Sequence, residues 1–509
     1  MQVDTQEYEY PPYEFEHVER LSLYNPGGFH PIDVGDVIDE RFEVSYKLGC
    51  GGFGLVWLCF DRHSEKWRAL KILTAEHSAG NTNREVKSIE HLRRKSTLED
   101  LQRSHVGVPI EHFYIDGPNG RHLCFVSPVF GRPVSIWRLY QEVEDETMAR
   151  ESTDICRQLA KGVRFLHHHE IVHGDIKPTN ILMKLNGFED LTKDQMRELL
   201  GEPEMALIET RSGSDPGPRA PKYCVNALPE YWCEKLITTP EIVIVDFGES
   251  FHVASPRESW GTPLTYAAPE VVFRKAATGT SGFNSDVWSL ACTMYEIKVG
   301  DPLFTSASSP RSLVQDIELF LGPLPDLYLT AWNKEPGENI KRKSPGELVN
   351  LADGCKPVAG LVTWELSKLL KQRELTLSGT RCSDVLEAQV VRQLTMPYPY
   401  NPEKLEAHPA KEGFFREDAM MLADLLRGML KYDPHDRMTL NQICRHPWID
   451  DRTRMCAIYE GLIANTLFPD SRRSTAVFIF PVFIFVIVAL VYGTPLVRIR
   501  LSEIPLRLG

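Results

Sequence analysis

The sequence predicts an α+β protein with two lobes, a small antiparallel β-rich lobe followed by a larger helical lobe. Two patterns lead to this expectation. Short runs of β-branched and aromatic residues, separated by Gly or Asp turns, fill residues 42–73, which is typical of an antiparallel meander. Beyond residue 150, apolar residues recur at spacings of three and four, as in helices that pack one face on a core.

The composition is that of a folded chain with an acidic surface. The 509 residues are 42% hydrophobic and 10% aromatic, which excludes a wholly disordered protein. A net charge of -13 argues against direct nucleic-acid binding and favours basic partners. The 11 cysteines include no C-x-x-C pair, so neither a disulfide framework nor a zinc site is indicated. Because the N-terminus lacks the apolar segment of a secretory signal, we expect a protein of the cytoplasm and nucleus.

The first lobe is predicted to follow an N-terminal arm. Residues 1–41 are acidic and rich in Tyr and Pro, as expected of an extended segment. The lobe itself should span about 42–127 and contain five strands. Its clearest elements are strands at 42–46, 54–60 and 67–73 and a helix at 82–94.

The second lobe should span about 128–449. Its clearest helices are at 153–168 and 419–430. Two stretches interrupt the periodic pattern, at about 185–239 and about 322–413, and we interpret both as insertions.

A glycine-rich string joins two of the predicted strands. Residues 49–56 read Gly-Cys-Gly-Gly-Phe-Gly-Leu-Val, a G-x-G-x-x-G-x-V pattern. Its position between strands favours a β-hairpin laid over phosphates rather than a dinucleotide-binding turn, although a simple turn is the alternative. Lys71 follows in an apolar strand, and a lysine there can reach phosphates if a carboxylate steadies it. Glu85, on the next helix, is the natural partner, and a solvent-directed edge-strand lysine is the alternative.

Two further motifs supply charged and metal-binding groups. Residues 173–180 read His-Gly-Asp-Ile-Lys-Pro-Thr-Asn, which combines a base (Asp175), a cation (Lys177) and a metal ligand (Asn180) at fixed spacing. Asp246-Phe-Gly follows an apolar strand, and its carboxylate is suited to hold magnesium on phosphates. Ala-Pro-Glu at 268–270 and Asp286-Val-Trp-Ser-Leu complete the series.

In this order the motifs resemble the eukaryotic protein kinases over about 42–449. The resemblance implies a bilobal protein-kinase fold and an ATP-dependent serine/threonine kinase that uses Mg²⁺. Lys71 and Glu85 would form the ion pair that positions ATP, Asp175 would be the catalytic base, and Lys177 would stabilise the transferring phosphate. Asn180 and Asp246 would bind magnesium. Structural roles fall to His173, Asp286 and the pair Glu270–Arg437. ATP would contact Leu48, Gly49, Cys50, Gly51, Gly52, Phe53, Gly54, Val56, Ala69, Lys71, Phe125 and Ser127.

Three features narrow the resemblance to the SR-protein kinases. They are the lead-in Pro-Gly-Gly-Phe-His-Pro at 26–31, the His-Gly-Asp loop without the usual Arg, and the long spacer before Asp246. The resemblance implies a monomeric kinase of Arg/Ser-rich splicing factors, which regulates mRNA splicing, and we expect a divergent, fungal-type member. Because Gly174 offers no cation for an activation-loop phosphate, we predict activity without phosphorylation of that loop.

The substrate-binding region departs from that family. Asp301 matches one carboxylate of the family's docking groove, but Ser312 and Leu319 stand where others lie, with Asp316 and Glu318 only nearby. The stretch 261–270 lacks the family's Arg, and Thr262 and Thr265 are both candidates to contact the catalytic loop. A kinase of other basic substrates is therefore the alternative.

The C-terminal region contains a long apolar segment. After a linker at 450–474, residues 475–497 carry no charge, and a short tail at 498–509 follows. The segment is long enough to span a bilayer as a helix, and basic residues precede it. One interpretation is a membrane anchor, which also allows a membrane-tethered scaffold without activity. The other is an incorrectly assigned end of the gene.

Overall fold

A computed structural model describes most of the first 450 residues. The described residues are 18–79, 84–139, 146–213, 215–237, 239–257, 261–273, 282–305, 309–328 and 409–450, together with Leu386 and Val390. Contacts divide the chain into a first unit, residues 1–451, and a second, residues 452–509. The second unit, with the apolar segment at 475–497, lies outside the described residues.

The first lobe is built on one antiparallel sheet with the strand order β1-β2-β3-β4-β6-β5. Its strands are β1 (Val37–Ile38), β2 (Phe42–Gly51), β3 (Gly54–Asp61), β4 (Lys66–Leu73), β5 (Glu111–Gly117) and β6 (Gly120–Ser127).

The five strands expected at 42–127 are present as β2–β6, and the arm adds a sixth strand, β1, that was not expected. Val37 and Ile38 fold back onto β2, with Ile38 opposite Phe42. The reversal is made by Asp39 and Glu40, both at positive φ (53° and 55°), which is the backbone of the tight turn that joins antiparallel strands. Such turns usually carry Gly or Asn, so the Asp-Glu pair gave no signal in the sequence.

Three helices accompany the sheet: α1 (Ala75–Ser78), α2 (Arg84–Lys95) and α3 (Leu98–Arg103). The described part of the helix predicted at 82–94 is α2. Its apolar residues Ile89 and Leu92 are buried in a cluster that also contains Leu166 and Phe247 of the second lobe. This packing fixes the face of α2 that carries Glu85.

The second lobe is helical and contains two small strand pairs. Its helices are α4 (Val134–Leu139), α5 (Glu146–His168), α7 (Pro269–Val272), α8 (Phe283–Val299), α9 (Pro310–Leu321), α10 (Pro409–Met429) and α11 (Leu440–Ile443). Strand β7 (Ile171–Val172) pairs with β12 (Phe251–His252), and β8 (Ile181–Met183) pairs with β11 (Ile242–Ile244). Both pairs hold the segments that carry the His-Gly-Asp and Asp-Phe-Gly motifs.

Helices α5 and α8 form the centre of this lobe's core. α5 begins seven residues before the predicted start at 153, and α10 begins ten residues before the predicted start at 419. α8 is buried along almost its whole length, including the polar Ser285 and Asp286. A helix buried on all sides has no polar face, so its polar residues must find partners inside the protein.

The N-terminal arm and the first insertion both pack on the sheet. The insertion contains α6 (Lys193–Leu200) and the hairpin of β9 (Met205–Leu207) and β10 (Tyr223–Val225). One hydrophobic cluster unites Phe29 and Ile32 of the arm, Ile208 and Val225 of the insertion, and Trp57 of β3. Beneath it, the carboxylate of Glu19 and the ammonium of Lys47 form a fully buried ion pair, 2.5 Å apart.

The remaining predicted segments are described only in part. Of the second insertion at 322–413, Leu386 and Val390 are buried in the core of the helical lobe, and most other residues lie outside the described ranges. Within the described ranges, no helix combines the length and apolar character needed to cross a membrane.

Candidate active site

The glycine-rich string forms the hairpin of β2 and β3, in which Gly51 lies opposite Gly54. A Cβ atom added at Gly49 or Gly52 would contact nothing within 4 Å. Packing inside the protein therefore does not require glycine there, whereas close approach of the backbone to a phosphate does. Cys50 is exposed, and Phe53 at the tip is 59% exposed with its ring against that of His77.

The underside of the sheet offers a partly apolar surface below this hairpin. Leu48, Val56 and Ala69 are half-buried there, and in the sheet Ala69 lies opposite the half-buried Ser127. Phe125 differs from the expectation of direct contact with ATP, because only 1% of it is exposed and it packs in the cluster around Phe247. Its ring lies 6.0 Å from Lys71 Nζ, so it forms the wall behind that lysine.

Lys71 joins two carboxylates from different parts of the chain. Its Nζ lies 3.3 Å from Glu85 Oε1 on α2 and 2.9 Å from Asp246 Oδ1. Burial alone would lower the pKa of Lys71, but Glu85 and Asp246 raise it above its ordinary value. Burial would likewise raise the pKa of Asp246, but Lys71 lowers it. Lys71 and Asp246 are therefore both charged at neutral pH, and the structure brings the predicted ion pair together.

Asp286 holds the catalytic loop from inside α8. Its Oδ2 accepts the backbone N–H of His173 at 2.8 Å, and its Oδ1 accepts that of Gly174 at 2.9 Å. His167 Nε2 lies 2.9 Å from the same carboxylate. These contacts satisfy a charge that is 1% exposed, and they fix the backbone next to Asp175.

His173 links the two motifs. Its ring lies 5.3 Å from that of Phe247, which is fully buried, and its Nε2 donates to the carbonyl oxygen of Val245. Asp246, the next residue, has a φ of +66°, which is uncommon outside glycine. Through this packing the predicted structural residue His173 holds the backbone that directs Asp246 toward Lys71.

The two carboxylate oxygens of Asp175 differ in their hydrogen bonds. Its Oδ2 accepts from Lys177 Nζ at 2.5 Å and from Asn180 Nδ2 at 2.9 Å. Its Oδ1 is buried and has no hydrogen-bond partner among the described residues. A buried acceptor without a partner is costly, so this atom is suited to accept the hydroxyl proton of an incoming substrate.

Asn180 and Asp246 carry the oxygen atoms that a divalent cation needs. Asn180 Nδ2 donates to the backbone and the side chain of Asp175, which leaves its amide oxygen as the free ligand atom. The carboxylate of Asp246 is 43% exposed and points to Lys71. Amide and carboxylate oxygens are the ligands that Mg²⁺ prefers, so these residues fit such an ion.

The segment after Asp-Phe-Gly is held by its own charges. The carboxylate of Glu249 lies 2.6 Å from Arg257 Nη1 and accepts the backbone N–H of Gly261 at 2.7 Å. Thr262, rather than Thr265, contacts the catalytic loop, because its hydroxyl donates to the carbonyl oxygen of Gly174.

The pair Glu270–Arg437 lies beneath this segment. Two parallel hydrogen bonds of 2.7 Å join the carboxylate to the guanidinium, and both side chains are at most 1% exposed. Ser285 also donates to Glu270. Because either charge alone would be buried without compensation, removing one partner should destabilise the fold by about 3–5 kcal/mol.

The predicted docking residues differ in availability. Asp301 is exposed and follows α8. Asp316 and Glu318 lie on α9, half-buried, but Glu318 Oε1 accepts the backbone N–H of Leu324 and so closes the end of that helix. Of the three, Asp301 is the carboxylate that the structure leaves on the surface.

Two acidic residues near the site were missed by the sequence analysis. Glu296 accepts a 2.6 Å hydrogen bond from the Tyr266 hydroxyl, and burial, with a smaller contribution from Asp301, raises its pKa. Glu249 was missed because nothing marks it beyond its place after Gly248. Glu296 gave a weak signal, since an isolated acid in the apolar run of α8 requires a partner.

Comparison with known proteins agrees with this geometry. A family model described as the protein kinase domain matches residues 42–193 and 235–449. Human SRSF protein kinase 3 is 36% identical over 162 residues, which are 31% of this chain and 28% of that protein. Protein kinase dsk1 of Schizosaccharomyces pombe is 32% identical over 171 residues, 33% of this chain and 31% of that protein. The matched regions thus span less than a third of either relative.

A longer match extends over most of the chain. The serine/threonine-protein kinase SRPK of Physarum polycephalum is 25% identical over 450 residues, 84% of this chain and 90% of that protein. The solved kinase domain of PF14_0431 is 18% identical, with a TM-score of 0.48, and covers 83% of this chain and 99% of that one.

The predicted similarity to the SR-protein kinases is thereby confirmed, while a fungal-type origin stays a prediction. The family match also implies the use of ATP and a divalent metal, for which the glycine-rich hairpin, Lys71, Asn180 and Asp246 are the suited groups. With the family model matching most of the chain on both sides of the insertion, and its motifs gathered in one cleft, the chain belongs to the protein kinase family.

Proposed function

We propose that the chain is an ATP-dependent serine/threonine protein kinase that phosphorylates Arg/Ser-rich splicing factors and so regulates mRNA processing. The observation that carries the proposal is the state of Asp175. Lys177 and Asn180 fix one of its oxygens, while the other is buried and free to accept. That arrangement suits a base that orients a substrate hydroxyl.

The chemistry follows from the charges around this atom. Asp175 Oδ1 accepts the hydrogen bond of the substrate hydroxyl and takes its proton as the hydroxyl oxygen bonds to the γ-phosphorus of ATP. The bond from that phosphorus to the β-phosphate oxygen breaks in the same step, and ADP leaves. Lys177 and Lys71 stabilise the negative charge of the transferring phosphoryl group. A bound Mg²⁺, held by Asn180 and Asp246, would neutralise charge on the phosphates of ATP. The protein's contribution is positioning, since the groups are already assembled.

The activation segment supports activity without phosphorylation. Glu249, with Arg257 and the Gly261 amide, supplies the negative charge and the contacts that a phosphate supplies in many kinases. Gly174 cannot carry the usual Arg without strain, because its φ is +78° and an added Cβ would lie 2.7 Å from the Glu249 carbonyl oxygen.

A basic substrate is favoured by acidic groups near the activation segment. Tyr266 belongs to that segment and contacts Glu296, and Asp301 is the exposed carboxylate close enough to affect Glu296. The net charge of -13 also attracts basic chains. The name of the human relative, SRSF protein kinase 3, supports a substrate of the SRSF class.

We infer a monomer that binds protein substrates rather than nucleic acid and acts in the cytoplasm and nucleus, with 475–497 as a membrane anchor where that segment is present. The acidic net charge supports binding to proteins rather than to nucleic acid. The membrane anchor rests on the uncharged run of residues 475–497 alone.

A kinase of other basic substrates is the second candidate. It is favoured by the engagement of Glu318 at the end of α9 and by Ser312 and Leu319, which offer no carboxylate. A groove with fewer free acids would distinguish Arg-Ser repeats less sharply from other basic peptides.

The test is radiolabelled γ-phosphate transfer by the full chain onto two peptides of equal charge, one of Arg-Ser and one of Lys-Ser repeats. We expect strong preference for Arg-Ser, and transfer about 10²–10⁴-fold slower by the Asp175→Asn variant. Equal turnover of both peptides would support the second candidate. Transfer no greater than that of the variant would leave a kinase fold without activity.

A further inference from the structure

Three potential metal ligands from three separate parts of the chain lie close together. His91 lies on α2, Glu170 in the turn before β7, and His252 on β12. Each offers one ligand atom, and these atoms all lie within 4.8 Å of one another. The imidazole rings of His91 and His252 are 4.9 Å apart at their centroids, and His252 Nε2 lies 3.4 Å from Glu170 Oε2.

We propose that His91, Glu170 and His252 bind one zinc ion. Two imidazoles and one carboxylate, with a fourth position open to water, form a recurrent zinc ligand set. Mg²⁺ prefers oxygen ligands throughout, so the site differs in chemistry from the pair Asn180 and Asp246. Metal–ligand distances of about 2.0–2.2 Å require the three side chains to close in slightly. Glu170, with a side chain that is 62% exposed, has room to move.

The surroundings of His91 suit a metal ligand. Its Nε2 donates to the carbonyl oxygen of His169 at 3.0 Å, so in the neutral ring the lone pair is on Nδ1. A metal-bound histidine usually donates its second N–H in this way, which fixes the tautomer. Burial, and then His252, lower the pKa of His91, which favours the neutral ring that a metal requires.

His252 would change its hydrogen bonds when the metal binds. Its Nδ1 accepts the backbone N–H of Ala254 at 3.2 Å, so the ring proton is on Nε2, toward Glu170. A zinc ion would take the place of that proton between His252 and Glu170. The proton would move to Nδ1, and the long contact to Ala254 would be lost. Because zinc binds only deprotonated ligands, zinc affinity should fall as the pH is lowered.

Binding at this site would affect the arrangement of the active site. α2 carries Glu85 six residues before His91, and β12 follows Asp246 by five residues. An ion that binds only when α2, β7 and β12 are together stabilises that arrangement by mass action. The site is thus placed to favour the Lys71–Glu85–Asp246 geometry, although the inference of binding itself does not depend on the proposed function.

The test is calorimetric titration of the chelator-treated full chain with zinc, in the presence of Mg²⁺. We expect one equivalent to bind, and His91→Gln, His252→Gln and Glu170→Gln each to weaken binding at least about 10-fold. His63→Gln, an exposed histidine outside the cluster, is the matched control. Cobalt substitution should give the visible absorption of a low-symmetry nitrogen–oxygen site, and the three variants should lose it.

Two outcomes would overturn the proposal. One is the absence of stoichiometric zinc binding by the wild-type chain. The other is binding by the ligand variants that equals that of His63→Gln. If the histidine variants melt early in chelator and prove misfolded, Glu170→Gln decides alone, since its side chain is exposed and its loss leaves the packing intact.

Discussion

Gly174 and Asp175 are neighbours in the catalytic loop, but one is constrained sterically and the other by charge. Gly174 is constrained by backbone, because its φ of +78° and the nearby Glu249 carbonyl exclude a side chain. Asp175 is constrained by charge, because Lys177 and Asn180 fix one oxygen and leave the other free. The motif predicted the position of the base from residue order alone. The steric reason for Gly174 required the fold, since Glu249 is 75 residues away in the chain.

A second pair of residues carries a pH effect in the arm. His30 packs against His122 of β6, with ring centroids 4.9 Å apart. Burial, and then His122, lower the pKa of His30 to about 4. The unfolded chain, with a pKa near 6.5, therefore binds more protons than the folded one between pH 6.5 and 4. In that window stability rises with pH, and it is lost on acidification.

We predict that His30→Phe reduces the loss of stability at low pH. Between pH 7 and pH 4.5 the wild-type histidine should cost on the order of 2 kcal/mol of unfolding free energy, because its proton must be excluded. Urea unfolding at several pH values measures this, with His63→Phe as the control. Equal slopes of unfolding free energy against pH for His30→Phe and wild type would contradict the prediction.

At the scale of elements, the activation segment is the part that sequence reasoning described least well. The lead-in to Ala-Pro-Glu was recognised, but two threonines remained as candidates, and the structure selects Thr262 through the Gly174 carbonyl. The clamp of Glu249, Arg257 and the Gly261 amide was not foreseen, because its members are close in space through a loop without periodicity. Strands and helices were easier, since alternation and three-to-four spacing report burial directly. The turn at Asp39 and Glu40 was missed because propensity disfavours it.

We predict that Glu249→Gln lowers the turnover number about 10-fold or more while the fold is kept. Loss of the charge removes the ion pair with Arg257 and weakens the contact to Gly261, so the segment no longer holds Thr262 on the catalytic loop. Steady-state phosphorylation of a basic peptide measures this. The control is Glu43→Gln, which removes a carboxylate of β2 that pairs with both Arg62 and Lys193. Unchanged turnover, or an equal loss in the control, would show that the clamp has no role.

For the molecule as a whole, the sequence predicted two lobes and their order. It did not predict how the N-terminal arm and the first insertion pack on the first lobe. The arm and the first insertion were read as an extension and an interruption. In the structure, Phe29 and Ile208 share one hydrophobic cluster with the sheet, and Glu19 of the arm is buried on Lys47. Such long-range contacts leave no local pattern, so the sequence did not show that the arm and the insertion pack on the sheet.

The acidic charge of the whole chain leads to a prediction about salt. With a net charge of -13, the field of the protein should draw in basic peptides, and added salt screens that field. Between about 0.05 M and about 0.3 M NaCl we expect kcat/KM for an Arg-Ser peptide to fall several-fold through KM, with kcat nearly constant. A peptide with its arginines replaced by citrulline should show little change. Similar salt dependence for both peptides would contradict electrostatic attraction.

The most direct test of the account measures kcat of the full chain after phosphatase treatment, with Asp175→Asn beside it, on an Arg-Ser peptide. Because Glu249 binds Arg257 and the Gly261 amide, and Gly174 stands where a cation would pair with a phosphate, we predict that the treated wild type keeps its activity. Asp175→Asn should be about 10²–10⁴-fold slower with an unchanged melting temperature. A treated wild-type protein no faster than Asp175→Asn would contradict the account.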